Sequence, residues 1–249
     1  MQTIYRLAQY RPAILRVLLA VTALLVVAST VGQLVKYRVG NDDLAGLIRL
    51  FYVSSERNVP TFYSSLLLLF AASLLALIVV DHRRREVRDV FRWTVLAIGF
   101  LYLAVDEAYG FLHERLRDPM RALLGGTDLG IFYYAWVIPG AAVVLVLAVY
   151  FLGFLRRLPA KTRVAFVAAA ALYVGGAIGI ELFEGRYAEV HGTLNLTFVL
   201  YATVEESLEM AGALLFIHAL LQYIAEHCDP EGRLRAKQAV MPASFDARA

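Results

Sequence analysis

The stretch Thr61–Val80, TFYSSLLLLFAASLLALIVV, carries no charged residue over 20 positions. As a helix rising about 1.5 Å per residue it is about 30 Å long, the thickness of a bilayer's hydrocarbon core, so it reads as a transmembrane helix. Five further stretches of this kind surround it: Ile14–Leu34, Phe91–Phe111, Ile131–Leu155, Val164–Leu182 and Leu196–Tyr223. The whole chain agrees with them. Of 249 residues, 60% are hydrophobic and 18% charged, with a mean hydropathy of +0.63, which is too apolar for an ordinary soluble domain. Six spans occupy about half the chain, which leaves no room for a tethered soluble domain. The expectation is an all-α polytopic protein of the cell (cytoplasmic) membrane, with one six-span domain over 1–228 and a disordered cytoplasmic tail over 229–249. Arg6, Arg11 and Arg16 ahead of Val17–Ala28 also suit a secretory leader. The apolar run continues to Val35 without a small-x-small cleavage site, however, and favours a retained span.

Charge supplies the orientation. The net charge is +3, but the cations lie in short runs beside apolar segments, as membrane-flanking loops do, and this pattern argues against a nucleic-acid partner. They concentrate in alternate loops: the N-terminal segment, the Arg83–Arg85 run with Arg88 and Arg92, then Arg156, Arg157, Lys161 and Arg163, and finally the tail. Retention of cations on the inner face then predicts that both termini are cytoplasmic. The single cysteine, Cys228, excludes an internal disulfide and a CxxC metal knuckle. In the first external loop, Leu44, Leu47, Ile48, Phe51 and Tyr52 recur at helical spacing behind Asp42–Asp43. This predicts a short amphipathic helix within Asp42–Ser55 that covers the outer surface. Pro139–Gly140 predicts a kink in the fourth span, and Gly175-x3-Gly179 predicts close helix packing in the fifth.

The informative residues are acids inside the spans, where a charge costs at least about 2.5 kcal/mol unless it meets a partner or water. The third span carries Asp106 and Glu107, followed by His113 and Glu114. The fifth ends in Glu181 and Glu184, and the sixth holds Glu205, Glu206 and Glu209. On one continuous helix Asp106 and His113 would lie about 20° apart, forming a stripe with Tyr102 and Tyr109. With both termini inside, all three sets fall in the outer third of the hydrocarbon, so they are expected to converge near the external face.

Carboxylates brought together cannot all stay ionised without a cation: they share protons, pair with Arg, or bind metal. One expectation is a divalent metal (Fe, Mn or Zn) held by Asp106, Glu107, His113, Glu114, Glu181, Glu184 and Glu209, with Glu205 or Glu206 as base. A metal-dependent membrane hydrolase or oxidoreductase would use it on a lipid or small-molecule substrate at the outer leaflet. Two alternatives come from other classes: a proton- or cation-coupled transporter, and a non-catalytic scaffold or accessory subunit. Carboxylates and histidine on facing helices resemble the ferritin-like di-iron carboxylate bundles, although the Glu-x-x-His pair of those proteins is missing. Glu205–Glu206 resembles the start of the EExxxR motif of CAAX-protease-like intramembrane metalloproteases, but Met210 stands where that motif has Arg.

The topology is directly testable. Single cysteines placed within Lys36–Pro60 or Arg186–Asn195, in a Cys228→Ser background, should react with an impermeant maleimide from outside. Cysteines within Arg83–Arg88 should react only after permeabilisation. Labelling of the arginine run from outside would reverse the orientation.

Overall fold

The computed structural model describes residues 8–40, 46–55, 57–126 and 129–228. Among them the chain is helical, with no strand. Its elements are α1 (Arg11–Val39), α2 (Leu47–Phe51), α3 (Val59–Arg84), α4 (Val90–Tyr109), α5 (Phe111–Leu123), α6 (Val137–Arg157), α7 (Ala160–Val174), α8 (Glu181–His191) and α9 (Leu196–His227). A π turn over Gly175–Ile180 joins α7 to α8, and a single 3₁₀ turn over Gly130–Phe132 precedes α6. The expected tail, together with Asp42, Asp43 and Leu44 of the first loop, lies outside the described residues.

Local chemistry sets several boundaries. The Asn58 side chain accepts a hydrogen bond from the Thr61 N–H at 3.1 Å and caps α3, with Pro60 in the first turn, where its missing donor costs nothing. Asn195 caps α9 in the same way through the Phe198 N–H at 3.0 Å. Gly110, at φ 65°, adopts the left-handed conformation that ends α4, and α5 starts afresh behind it. This corrects the stripe expected from Tyr102 to His113. The wheel assumed an unbroken helix, and Gly110 interrupts it between Asp106 and His113. Pro139 makes no kink either, because α6 begins at Val137 and the proline falls within its first turn. Among the described residues of the first loop, the amphipathic segment is helical over Leu47–Phe51, with Tyr52 already extended.

Among the described residues, five stretches are long and apolar enough to cross a membrane: Arg11–Arg38, Val59–Arg84, Val137–Arg157, the continuous Ala160–His191, and Leu196–His227. Of the other helices α4 is the longest, with 20 residues, but it carries Arg92, Asp106 and Glu107. It packs along α3, and the Ser65 hydroxyl donates to the Ala104 carbonyl at 2.7 Å between them.

At the centre lies α9, in contact with α1, α3, α7, the π turn and α8. Its Ile217, Leu220, Leu221 and Ile224 are fully buried, as are Leu67, Leu74, Leu75 and Ile78 of α3. Aromatic rings lock the neighbouring helices onto them. Phe100 of α4 stacks on Phe216 with centroids 4.4 Å apart, and Trp93 meets Phe154 edge-on at 5.1 Å. Such pairs add about 0.5–1.5 kcal/mol each beyond their buried area. A close backbone approach completes the packing, since a Cβ on Gly212 would come within 2.7 Å of the Tyr173 nitrogen and 2.9 Å of the Ala169 carbonyl oxygen.

One end of the bundle is tied by charge. Asp89, just before α4, accepts from Arg157 Nε and a terminal guanidinium nitrogen, both at 2.7 Å, and also pairs with Arg92. The Arg157 guanidinium holds the Asp89 carboxyl below the usual carboxylate range. Arg85 pairs with Asp81 at 2.8 Å and donates to the Cys228 carbonyl at 2.9 Å, capping the end of α9. The ends of α3, α6 and α9 therefore meet the start of α4 on one level.

Because Gly212 sits against backbone rather than a flexible side chain, Gly212→Val should destabilise the fold by about 1–3 kcal/mol. A lowered melting temperature in detergent is the readout, and an unchanged melting temperature would mean that α7 and α9 pack elsewhere.

Candidate functional site

The expected acids distribute over α4, α8 and α9, and what brings them together begins with the π turn. The sequence there, Gly175-Gly-Ala-Ile-Gly-Ile180, offers little side-chain bulk to resist a widened turn. A π turn inserts one residue more per turn than an α-helix and recurs at functional sites. It ends at Glu181, so the extra residue re-aims Glu181 and Glu184. Gly176 lies in this turn at the closest approach to α9. A Cβ on it would meet the Glu205 carbonyl oxygen at 2.7 Å and Glu209 Cγ at 3.0 Å. Close packing was expected from Gly175 and Gly179, yet a Cβ on either would find open space within 4 Å. The π turn shifts the register by one residue, and Gly176 takes the contact.

Across that contact Glu205 lies in hydrogen-bonding reach of both Glu181 and Glu184. The Glu181 and Glu184 side chains are buried, 8% and 6% exposed. Trp136, immediately before α6, donates its indole N–H to Glu181 Oε1 at 2.7 Å. The indole reaches there by folding back over Gly140, where a Cβ would stand 3.0 Å from its ring. One oxygen of Glu184, Oε2, is buried without a hydrogen-bond partner. One turn further along α9, Glu209 lies beside Tyr173 of α7. Glu206 shares its surroundings with Glu209, Glu107, Glu184 and Glu181. A small cavity of about 10 Å³, lined by Ser64, Glu107, Tyr173, Glu209 and the apolar Leu67 and Met210, has room for about one water molecule.

The remaining candidates are placed as follows. Asp106 is buried on α4 next to Glu107. Tyr102 and Tyr109, expected to flank it on an inward stripe, are instead exposed, at 50% and 58%. His113 and Glu114 belong to α5, beyond the Gly110 break, and their side chains lie outside those described. His191, at the end of α8, stacks on Tyr187 with centroids 4.5 Å apart. In the first loop, burial pushes the Tyr52 phenol up to about 12.

Sequence reasoning missed Trp136 and Tyr173, the polar non-acidic groups of the site. The one available signal was the Trp136-x3-Gly140 spacing, a bulky ring one turn before a residue without a side chain. Among the described residues, no group of three or more His, Cys, Asp or Glu side chains stands in an arrangement that would hold a metal ion. The donors assembled by α8 and α9 are oxygens, a set that suits hard cations better than His- or Cys-seeking metals. As placed, they are engaged with one another and with Trp136 and Tyr173.

The chain belongs to a protein family described as a domain of unknown function, DUF8692, whose family model matches residues 18–224. No curated protein and no solved structure matches it.

Trp136→Phe keeps the ring and removes the donor to a buried carboxyl, so it should lower stability by about 1–3 kcal/mol. Gly140→Val should do the same indirectly, by expelling the indole from its place. Melting curves of both variants in lipid nanodiscs test the link. A neutral Trp136→Phe would show that the hydrogen bond to Glu181 contributes nothing.

Proposed function

We propose that this membrane protein crosses the cell membrane six times, α4 spanning it in addition to the five apolar stretches, with both termini cytoplasmic. In this reading the carboxyls of α4, α8 and α9 form a proton-sharing site just below the outer face. Its function is to take up and release protons, coupled to the passage of a cation or small solute. The observation that carries the reading is the contact of Glu205 with both Glu181 and Glu184. Two ionised carboxylates have only acceptors to offer each other, so such contacts need a proton between the oxygens. The polar neighbours supply the rest: the Trp136 indole donates to Glu181, and the Tyr173 hydroxyl lies beside Glu209. A proton added to or removed from any one carboxyl would be felt by the others, and that coupling is what a proton-exchanging site requires.

A second reading, a hard divalent cation in place of the shared protons, is favoured by two specific observations. The buried Glu184 Oε2 lacks a hydrogen-bond partner, and a water-sized cavity lies beside Glu107 and Glu209. This is also the reading in which Glu205 or Glu206 would serve as a base in lipid-level chemistry. It requires the acids to turn from one another toward the ion.

Infrared spectroscopy of the protein in nanodiscs separates the readings. Shared protons predict a protonated-carboxyl C=O band at neutral pH that shifts in D₂O and weakens in Glu205→Gln, with a melting temperature indifferent to chelators. A divalent-cation site predicts near-stoichiometric metal in gently purified protein, loss of it in Glu205→Gln, and a melting temperature that falls on chelation. Absence of both the carboxyl band and the metal would overturn the function and leave a scaffold.

A further inference from the structure

Helix α6 is tied to the bundle at its two ends and stands off from it between them. At one end Val137 is buried and the Trp136 indole reaches Glu181. At the other, Phe151 and Phe154 are buried, Phe154 meets Trp93 edge-on, and Arg157 is bonded to Asp89. Val137, Val144, Leu147, Phe151 and Phe154 follow one another at helical spacing and share the face that α6 turns to the bundle. Leu147, in the middle of that face, is nonetheless 42% exposed. The ten residues Ala141–Tyr150 point in every direction around the helix axis, and all of them except Val144 are exposed. A helix packed on a neighbour hides one face along its length. The middle of α6 hides none, so a gap lies between it and the bundle, about 20 Å long between the buried ends. Its α6 wall is made of Val144, Leu147 and Ala148, and such a lining does not hold water.

The charged end of the gap is cationic. Asp89 there is paired with both Arg92 of α4 and Arg157 of α6, one carboxylate to two guanidinium groups. Arg163 adds a third, donating to the Arg156 carbonyl at 3.4 Å. The Arg92 guanidinium stands over the Tyr150 ring, 5.8 Å from its centroid, where the exposed stretch of α6 ends, and its Nε is buried without a hydrogen-bond partner. Arg157 bonds Asp89 through Nε and Nη2, while its Nη1 lies back along α6, 3.5 Å from where a Cβ on Gly153 would stand.

We propose that this gap is a lipid site, in which α6 and α4 hold one anionic phospholipid from the leaflet on the arginine-rich side. Its phosphate sits at Arg92 and Arg157, and one acyl chain runs between the middle of α6 and the bundle. Charge and shape each select this occupant. Two guanidinium groups on one carboxylate leave positive charge and N–H donors for a phosphate, which arginine binds in its planar fork. A leaflet's chains reach about 15 Å, half of the hydrocarbon core, which fits within the length of the gap. A second copy of the chain could cover the outer side of α6, but a helix needs about 8–10 Å between axes and cannot enter a space closed by α6's own ties at both ends. The lipid site stands apart from the carboxyl site and needs neither shared protons nor a bound cation there.

Native mass spectrometry of delipidated protein in detergent, mixed with equimolar dioleoyl phosphatidylglycerol and dioleoyl phosphatidylcholine, tests the site, because the two lipids differ only in headgroup. The wild type should retain one phosphatidylglycerol at least fivefold over phosphatidylcholine. Arg92→Gln should bring the two within twofold of each other. Leu147→Trp keeps the arginines and fills the gap from an exposed position, so it should cut both adducts at least fivefold. Arg83→Gln and Arg84→Gln, which remove exposed charges at the same end, should leave the preference as it is. If Arg92→Gln does not fold, Arg163→Gln takes its place, since it leaves both ion pairs of Asp89 intact. Equal adducts of the two lipids in the wild type, a preference unchanged in the arginine variant, or adducts unchanged in Leu147→Trp would each overturn the site, as would a lipid-free dimer.

Discussion

The structure depends on how closely α9 can approach the α7–α8 helix. Contact at backbone distance is possible because Gly212 on one side and Gly176 on the other carry no side chain, and because the π turn widens the partner helix where they meet. Each consequence follows from that approach. Glu205 is brought onto Glu181 and Glu184, and Glu209 onto Tyr173. The apolar half of α9, from Met210 to Ile224, is pressed between α3 and α7. In lipid, where apolar burial drives helix association weakly, small residues that admit close van der Waals contact and polar groups that bond between helices provide the cohesion. Both devices occur here at the same crossing. The site is therefore part of what holds the bundle together.

How much of this is legible in the sequence depends on whether a feature is local. An apolar run of membrane length is a property of consecutive residues, and α1, α3, α6 and α9 lie where their runs lie. The caps at Asn58 and Asn195 are local as well. A helical wheel is not local in the same sense, because it assumes that the helix continues. Gly110 breaks it between Asp106 and His113, and the π turn breaks it before Glu181. One extra residue in a turn rotates everything downstream by about 100°. Nothing in Gly175–Ile180 distinguishes a π turn from an α turn rich in glycine, and so the close contact falls on Gly176, one residue from the spacing expected. Trp136 reaches Glu181 from 45 positions earlier in the chain. No periodicity within one helix can reveal partners of that kind.

The two ends of the bundle handle their acids by opposite means. At the arginine-rich end, Asp81 and Asp89 meet guanidinium groups directly, and Asp89 is held below its ordinary range by Arg157. The linkage has a definite sign. Stability from that contact is present above the carboxyl's unfolded value and is lost as pH falls through the lower folded one. At the other end, Glu181 meets an indole N–H, Glu209 a phenol, and Glu205 two further carboxyls. Neutral donors and shared protons satisfy oxygens without fixing their charge, whereas a guanidinium fixes it permanently. A bundle selected only for cohesion has no need of this difference, because an Arg–carboxylate pair at either end gives a stronger tie. The contrast lies in charge: guanidinium groups fix it at the arginine-rich end, whereas neutral donors leave it unfixed at the other.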